Sequence, residues 1–116
     1  MDESQALNAF AALSQETRLG IVRLLVREGQ GGLPAGAIAE AAKVSASNVS
    51  FHLKELERAG LIEARREARS IIYKANFTGL RELIAFLMKD CCASRPEICA
   101  PAVGDRAAKS RKRVRA

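Results

Sequence analysis

Three cysteines fall within nine residues, in the run Cys91-Cys92-Ala93-Ser94-Arg95-Pro96-Glu97-Ile98-Cys99. Three thiols with no other soft donor nearby fit a three-coordinate site. Arsenite and antimonite form trigonal-pyramidal tris-thiolates, so As(III) or Sb(III) is the expected ligand of Cys91, Cys92 and Cys99. Zinc prefers four ligands, normally Cys or His, and the single histidine, His52, stands in another element of the sequence. Pro96 opposes helix continuation and helps the segment turn so that Cys99 returns to the adjacent pair. Arg95 is placed to stabilise nearby thiolates. Two other readings remain open at this point: a redox switch, or cysteines used as small buried hydrophobes. An enzyme is not expected, because no His/Asp-supported nucleophile is visible.

A second set of residues suits a polyanion. The 116-residue chain carries a formal charge of +6, but the charge is unevenly spread. Residues 104–116 hold six basic groups against Asp105 alone, and residues 1–103 are nearly neutral overall. What matters is where the remaining cations cluster, which is between Lys43 and Lys74. No apolar run approaches the ~20 residues of a membrane span, and Met1-Asp2-Glu3-Ser4 does not resemble a signal peptide. The expected location is the cytoplasm, where the thiols stay reduced.

The elements that must carry these groups follow from periodicity. Ser4–Leu13 reads as an amphipathic helix with Leu7, Phe10, Ala11 and Leu13 on its apolar side. Ser14 is the expected cap of a second helix striped by Leu19, Val22, Leu25 and Val26, widened by Ile21 and Leu24. Gly29-Gln30-Gly31-Gly32 ends it. Pro34 suits the first position of a short, small-residue helix through Ala42. Ser45 is the expected N-cap of a fourth helix, about 46–59, stopped by Gly60. Leu61–Arg66 and Ser70–Lys74 then read as a β-hairpin around Glu67-Ala68-Arg69. A last helix, about 79–90, carries Leu80, Leu83, Ile84 and Leu87. Residues 1–90 thus form one mainly α domain with a β-hairpin, followed by a cysteine segment at 91–99 and a basic tail at 100–116, expected to be disordered.

Two short helices, a tight joint and a hairpin make a winged helix-turn-helix. On the fourth helix Val49, Leu53 and Leu56 share one side. Ser47, Phe51, Lys54 and Arg58 share the other, with Asn48 and Ser50 at its margins. Short hydrogen-bonders near the N-terminus suit base edges, and Phe51 suits a thymine methyl group. Lys54 and Arg58 suit phosphates. Polar residues on a helix face ordinarily mean only solvation, but that does not account for the ring of Phe51. Arg65, Arg66 and Arg69 on the hairpin suit a minor groove or the backbone. They equally suit a solvated edge that resists aggregation. His52, near the edge of the core-facing side, is given a structural or supporting role.

Three motifs in order resemble the ArsR/SmtB metalloregulatory repressors. Phe10-Ala11-Ala12-Leu13-Ser14-Gln15-Glu16-Thr17-Arg18-Leu19 is similar to the family's opening. Ser45-Ala46-Ser47-Asn48-Val49-Ser50-Phe51-His52-Leu53-Lys54 resembles its recognition helix. Ala59-Gly60-Leu61-Ile62 with Arg65-Arg66-Glu67-Ala68-Arg69 and Tyr73 resembles its wing. The resemblance covers about residues 7–90. It implies a homodimer formed by the first and last helices that binds double-stranded operator DNA and is released by metal. Ala68 departs from it, since glycine is common at the wing tip. The third helix lacks the Cys-x-Cys of many arsenic-sensing relatives, and the last helix lacks the His and acidic pairs of zinc-sensing ones. Some relatives do sense through C-terminal cysteines.

Overall fold

The computed structural model describes residues 1–89, so the three cysteines and the basic tail lie outside the described residues. Within 1–89 the chain runs α1 (Glu3–Leu13), α2 (Glu16–Glu28), a 3₁₀ turn (Gly29–Gly31), β1 (Leu33–Pro34), α3 (Ala35–Ala42), α4 (Ala46–Arg58), β2 (Ile62–Glu67), β3 (Ser70–Ala75) and α5 (Phe77–Met88). This is the expected mainly helical winged helix-turn-helix, with one strand added.

The helix-turn-helix is defined at its ends. The Ser45 hydroxyl accepts the Asn48 N–H at 3.2 Å and starts α4. At the other end Leu61 N–H donates to Leu56 O and Gly60 N–H to Glu57 O, both at 3.0 Å, with Gly60 at φ 81°. That is a Schellman closure, in which a left-handed residue satisfies carbonyls the helix leaves over. Helix α3 ends the same way, with Val44 N–H on Ala39 O and Lys43 N–H on Glu40 O. The left-handed residue there is Lys43, at φ 60°. A side chain in that conformation costs about 1–2 kcal/mol.

The sheet is antiparallel in the order β1-β3-β2. Glu67 pairs with Ser70, so the hairpin turns on two residues, Ala68 and Arg69. Ala68 has φ 55°, a positive first position as in a type II′ turn. The unexpected strand β1 pairs Leu33 with Tyr73 and Pro34 with Ile72. Pro34 therefore belongs to that strand and precedes α3 as its N-cap, one residue before the position expected from sequence.

The core joins Ile21, Leu25, Ile38, Val49, Leu53, Leu56, Leu61 and Ile62, all fully buried. Each large side chain removed from water contributes about 1.5–3 kcal/mol. Helix α1 is rotated from expectation, while α2 keeps the expected Ile21, Val22 and Leu25 inside. In α1 the buried residues are Ala6, Ala9 and Ala12, while Leu7 and Phe10 are exposed. Three alanines let α1 approach its neighbours closely and turn its large side chains outward. In α2 the buried residues are Ile21, Val22 and Leu25, and Leu19 and Val26 are exposed. Its cap is Gln15, not Ser14, with Gln15 Oε1 accepting the Arg18 N–H at 2.8 Å.

Helix α5 begins two residues earlier than expected, at Phe77, with Asn76 Oδ1 accepting the Gly79 N–H at 3.0 Å. Asn76 Nδ2 also donates to Gly60 O, and its backbone N–H to Leu61 O. Gly79 lies so close to the Gly60 carbonyl that a Cβ there would collide with it. Of the expected stripe, Leu83 is buried and Leu80 half-buried, while Ile84 and Leu87 are exposed.

Candidate nucleic-acid interface

Helix α4 divides cleanly. Val49, Leu53 and Leu56 are inside, and Ser47, Asn48, Ser50, Phe51, Lys54 and Arg58 are all exposed, with Ser45 exposed at the cap. The structure therefore brings these seven residues to the solvent side of one helix. Ser45 Oγ is occupied by its capping bond and lies 3.4 Å from Ser47 Oγ. Phe51 is 57% exposed. An aromatic ring left in water forfeits much of its transfer free energy, so this face has the composition of a surface that meets a partner. Arg58 is held by Glu55 at 2.8 Å. Lys54 has no ion-pair partner among the described residues.

The wing separates its three arginines. The Arg65 guanidinium is tied into the fold, donating to the carbonyls of Gln30 at 3.2 Å and Gly31 at 3.1 Å, and pairing with Glu67 at 3.1 Å. Beside it Lys74 Nζ donates to Gln30 Oε1 at 2.7 Å, pairs with Glu63 at 3.3 Å, and lies 5.8 Å from the Phe77 ring centroid. These ties fasten the wing to the turn after α2. Strand alternation puts Arg66 on the opposite face from Arg65, paired across the strands with Ile71. Arg69 sits in the turn itself. Arg66 and Arg69 are exposed with no ion-pair partner among the described residues, and Arg65 keeps 40% of its side chain exposed beside its ties.

His52 is half-buried at the margin of the reading face. Its Nδ1 faces Arg18 NH1 at 3.1 Å. Its pKa is lowered, first by burial and then by the Arg18 charge. The Tyr73 hydroxyl pKa is raised, by burial first and by Glu57 second. Arg18 stands in the sequence only as part of the Thr17-Arg18-Leu19 motif, and nothing in that spacing separates a polar joint from solvent exposure. Among the described residues no group of three or more His, Cys, Asp or Glu is placed to hold a metal ion. Nor is any described helix long and apolar enough to cross a membrane.

Residues 13–65 match a helix-turn-helix domain model. The transcriptional repressor SdpR of Bacillus subtilis is 37% identical over 81 residues, which is 70% of this chain and 87% of that protein. The HTH-type transcriptional regulator YgaV of Escherichia coli is 33% identical over 88 residues, 76% of this chain and 87% of that one. An ArsR-like transcriptional regulator from Rhodococcus superposes with a TM-score of 0.67 at 30% identity, covering 90% of this chain and 93% of that chain. A homodimeric winged helix-turn-helix DNA-binding domain from Mycobacterium bovis, described as a possible ArsR-family regulator, superposes with a TM-score of 0.61 at 27% identity, covering 83% of each. Fold and exposed reading helix together define a transcriptional regulator with a winged helix-turn-helix DNA-binding domain. Within that class, the chain belongs to the ArsR-like family.

Proposed function

We propose that this chain is a cytoplasmic, homodimeric transcriptional repressor that binds operator DNA and is released when As(III) or Sb(III) binds Cys91, Cys92 and Cys99. The observation that carries the DNA-binding part is the outward face of α4, where hydrogen-bonding side chains surround an exposed Phe51. Ser47, Asn48 and Ser50 read base edges, Phe51 packs on a methyl group, and Lys54, Arg66 and Arg69 meet phosphates. Dimerisation is supported by exposed Leu7, Phe10, Ile84 and Leu87 on α1 and α5, and by the homodimeric relative. A dimer sets two reading helices one helical turn of DNA apart. Repression is supported by the likeness to SdpR.

The arsenic part rests on the donor set alone: three thiols within nine residues. Binding draws them together beyond the end of α5 and alters the spacing of the reading heads. By linkage, an ion that weakens DNA binding is itself bound more weakly by the DNA-bound form. Thiolate ligation also releases protons, so apparent ion affinity falls in acid.

Fluorescence anisotropy on duplex DNA from upstream of the gene, with arsenite titrated in under reducing conditions, tests the whole reading. Release at stoichiometric ion, lost on Cys91→Ser, Cys92→Ser or Cys99→Ser with DNA binding retained, is the expected result. Binding indifferent to arsenite but abolished by peroxide would replace the ion with a redox signal. Binding indifferent to both would leave a constitutive regulator.

A further inference from the structure

Arg18 joins three helices. Its Nε donates to the Ala12 carbonyl in the last turn of α1 at 2.7 Å, and its NH1 donates to His52 Nδ1 on α4 at 3.1 Å. Its own backbone N–H is fixed by Gln15 at the start of α2. A guanidinium can only donate, so Nδ1 is the lone-pair nitrogen and the neutral ring carries its proton on Nε2. The same ring stands edge-on to Phe51, with centroids 5.5 Å apart and planes inclined by 63°. A continuous line of contacts therefore runs from α1, through Arg18 and His52, to the aromatic ring on the reading face.

We propose that Arg18 and His52 are a positioning pair for DNA recognition, setting the rotation of α4 against α1 and the stance of Phe51 on the reading face. The inference rests on the DNA-binding reading above and adds two residues that contact no DNA. The pair is also conditional on proton occupancy. A protonated His52 would present an N–H and a positive charge to Arg18, and the bond would be replaced by repulsion. The charge that bears on the ring is Arg18; on α4 itself, Glu55 three residues further on is held by Arg58. Lysine cannot substitute for Arg18, because one ammonium lacks the fork that reaches Ala12 and His52 together.

The experiment uses the full chain and a duplex selected from a random pool, with a shuffled duplex as comparator and thermal melting as a check on folding. Failure of the wild type to enrich any duplex would sink the DNA-binding reading and not this pair in particular. Given specific binding, Arg18→Lys and His52→Leu should each weaken it about tenfold, the scale of one net hydrogen bond. The double variant should bind no more weakly than either single one. His52→Asn keeps an acceptor near the Nδ1 position and should restore binding. Wild-type affinity should fall in acid, as pH passes below the ordinary imidazole range through the lowered pKa of His52, and His52→Asn should remove that dependence. Wild-type affinity for both single variants, or additive losses in the double, would overturn the proposal. Tighter wild-type binding in acid would also overturn it, and would make His52 a phosphate contact instead.

Discussion

Two of the surfaces that leave large side chains in water differ in kind. On α1 and α5 the outward residues are Leu7, Phe10, Ile84 and Leu87, with Leu7 60% and Leu87 58% exposed. On α4 a single ring, Phe51, is set among serine, asparagine and lysine. The first composition suits a partner that also needs to leave water; the second suits a polar lattice with an occasional methyl group. Both helix sets are anchored by small or branched residues on the inner side, Ala6, Ala9 and Ala12 in α1 and Val49, Leu53 and Leu56 in α4. The inner faces hold the fold, and the outer faces are free to specify partners.

The sharpest break of that comparison lies within α4. Leu53→Ala should cost about 2–5 kcal/mol of stability by opening a cavity, whereas Phe51→Ala should change stability by less than about 0.5 kcal/mol. Chemical denaturation of the two variants measures both. On the other surface, Leu7→Glu combined with Leu87→Glu should leave a folded monomer by sedimentation and weaken operator binding at least ~100-fold, because one half-site is lost. An unchanged dimer would show that the apolar face has some other occupant. Phe51→Ala should then weaken specific binding by about 1–3 kcal/mol, the scale of a direct base contact. Lys54→Ala should instead weaken specific and non-specific duplexes alike and lower the salt slope by about one.

Smaller effects come from the backbone. Lys43→Gly and Ala68→Gly should each raise stability by up to about 1 kcal/mol, the left-handed strain relieved being partly offset by greater freedom of the unfolded chain. The smallest concerns His52, whose pKa is lowered in the fold by burial and by Arg18. Its neutral form is favoured when folded, so that contribution is complete above the unfolded value of about 6.5 and is lost as pH falls through the lower folded value. Melting temperature against pH, compared with His52→Asn, isolates it.

The helix-turn-helix was legible because its signals are local. Ser45 caps, Gly60 stops, and the hydrophobic period between them has one solution. The wing was legible from alternation, although the turn uses Ala68 where glycine is more usual. Strand β1 was not legible, since two residues have no period and Leu33-Pro34 becomes a strand only by pairing with β3. The rotation of α1 was hidden for a different reason: ranking residues by size points Leu7 and Phe10 inward, while close helix approach selects the alanines. Arg65 reads as a groove cation and also donates to the carbonyls of Gln30 and Gly31, a long-range accounting of backbone acceptors that sequence spacing does not disclose.

The seat of α5 on the end of α4 has a mechanical consequence. Asn76 grips the Gly60 carbonyl, and Gly79 leaves no gap for a side chain between them. A helix of this length is about 18 Å long. It is therefore an arm joined to the terminus of the recognition helix, and three residues beyond its last residue, Met88, comes Cys91. A shift of about 2 Å at the far end of such an arm is a tilt of about 6° at the joint. Any tilt of α5 that kept this joint intact would therefore bear on the residues that close α4.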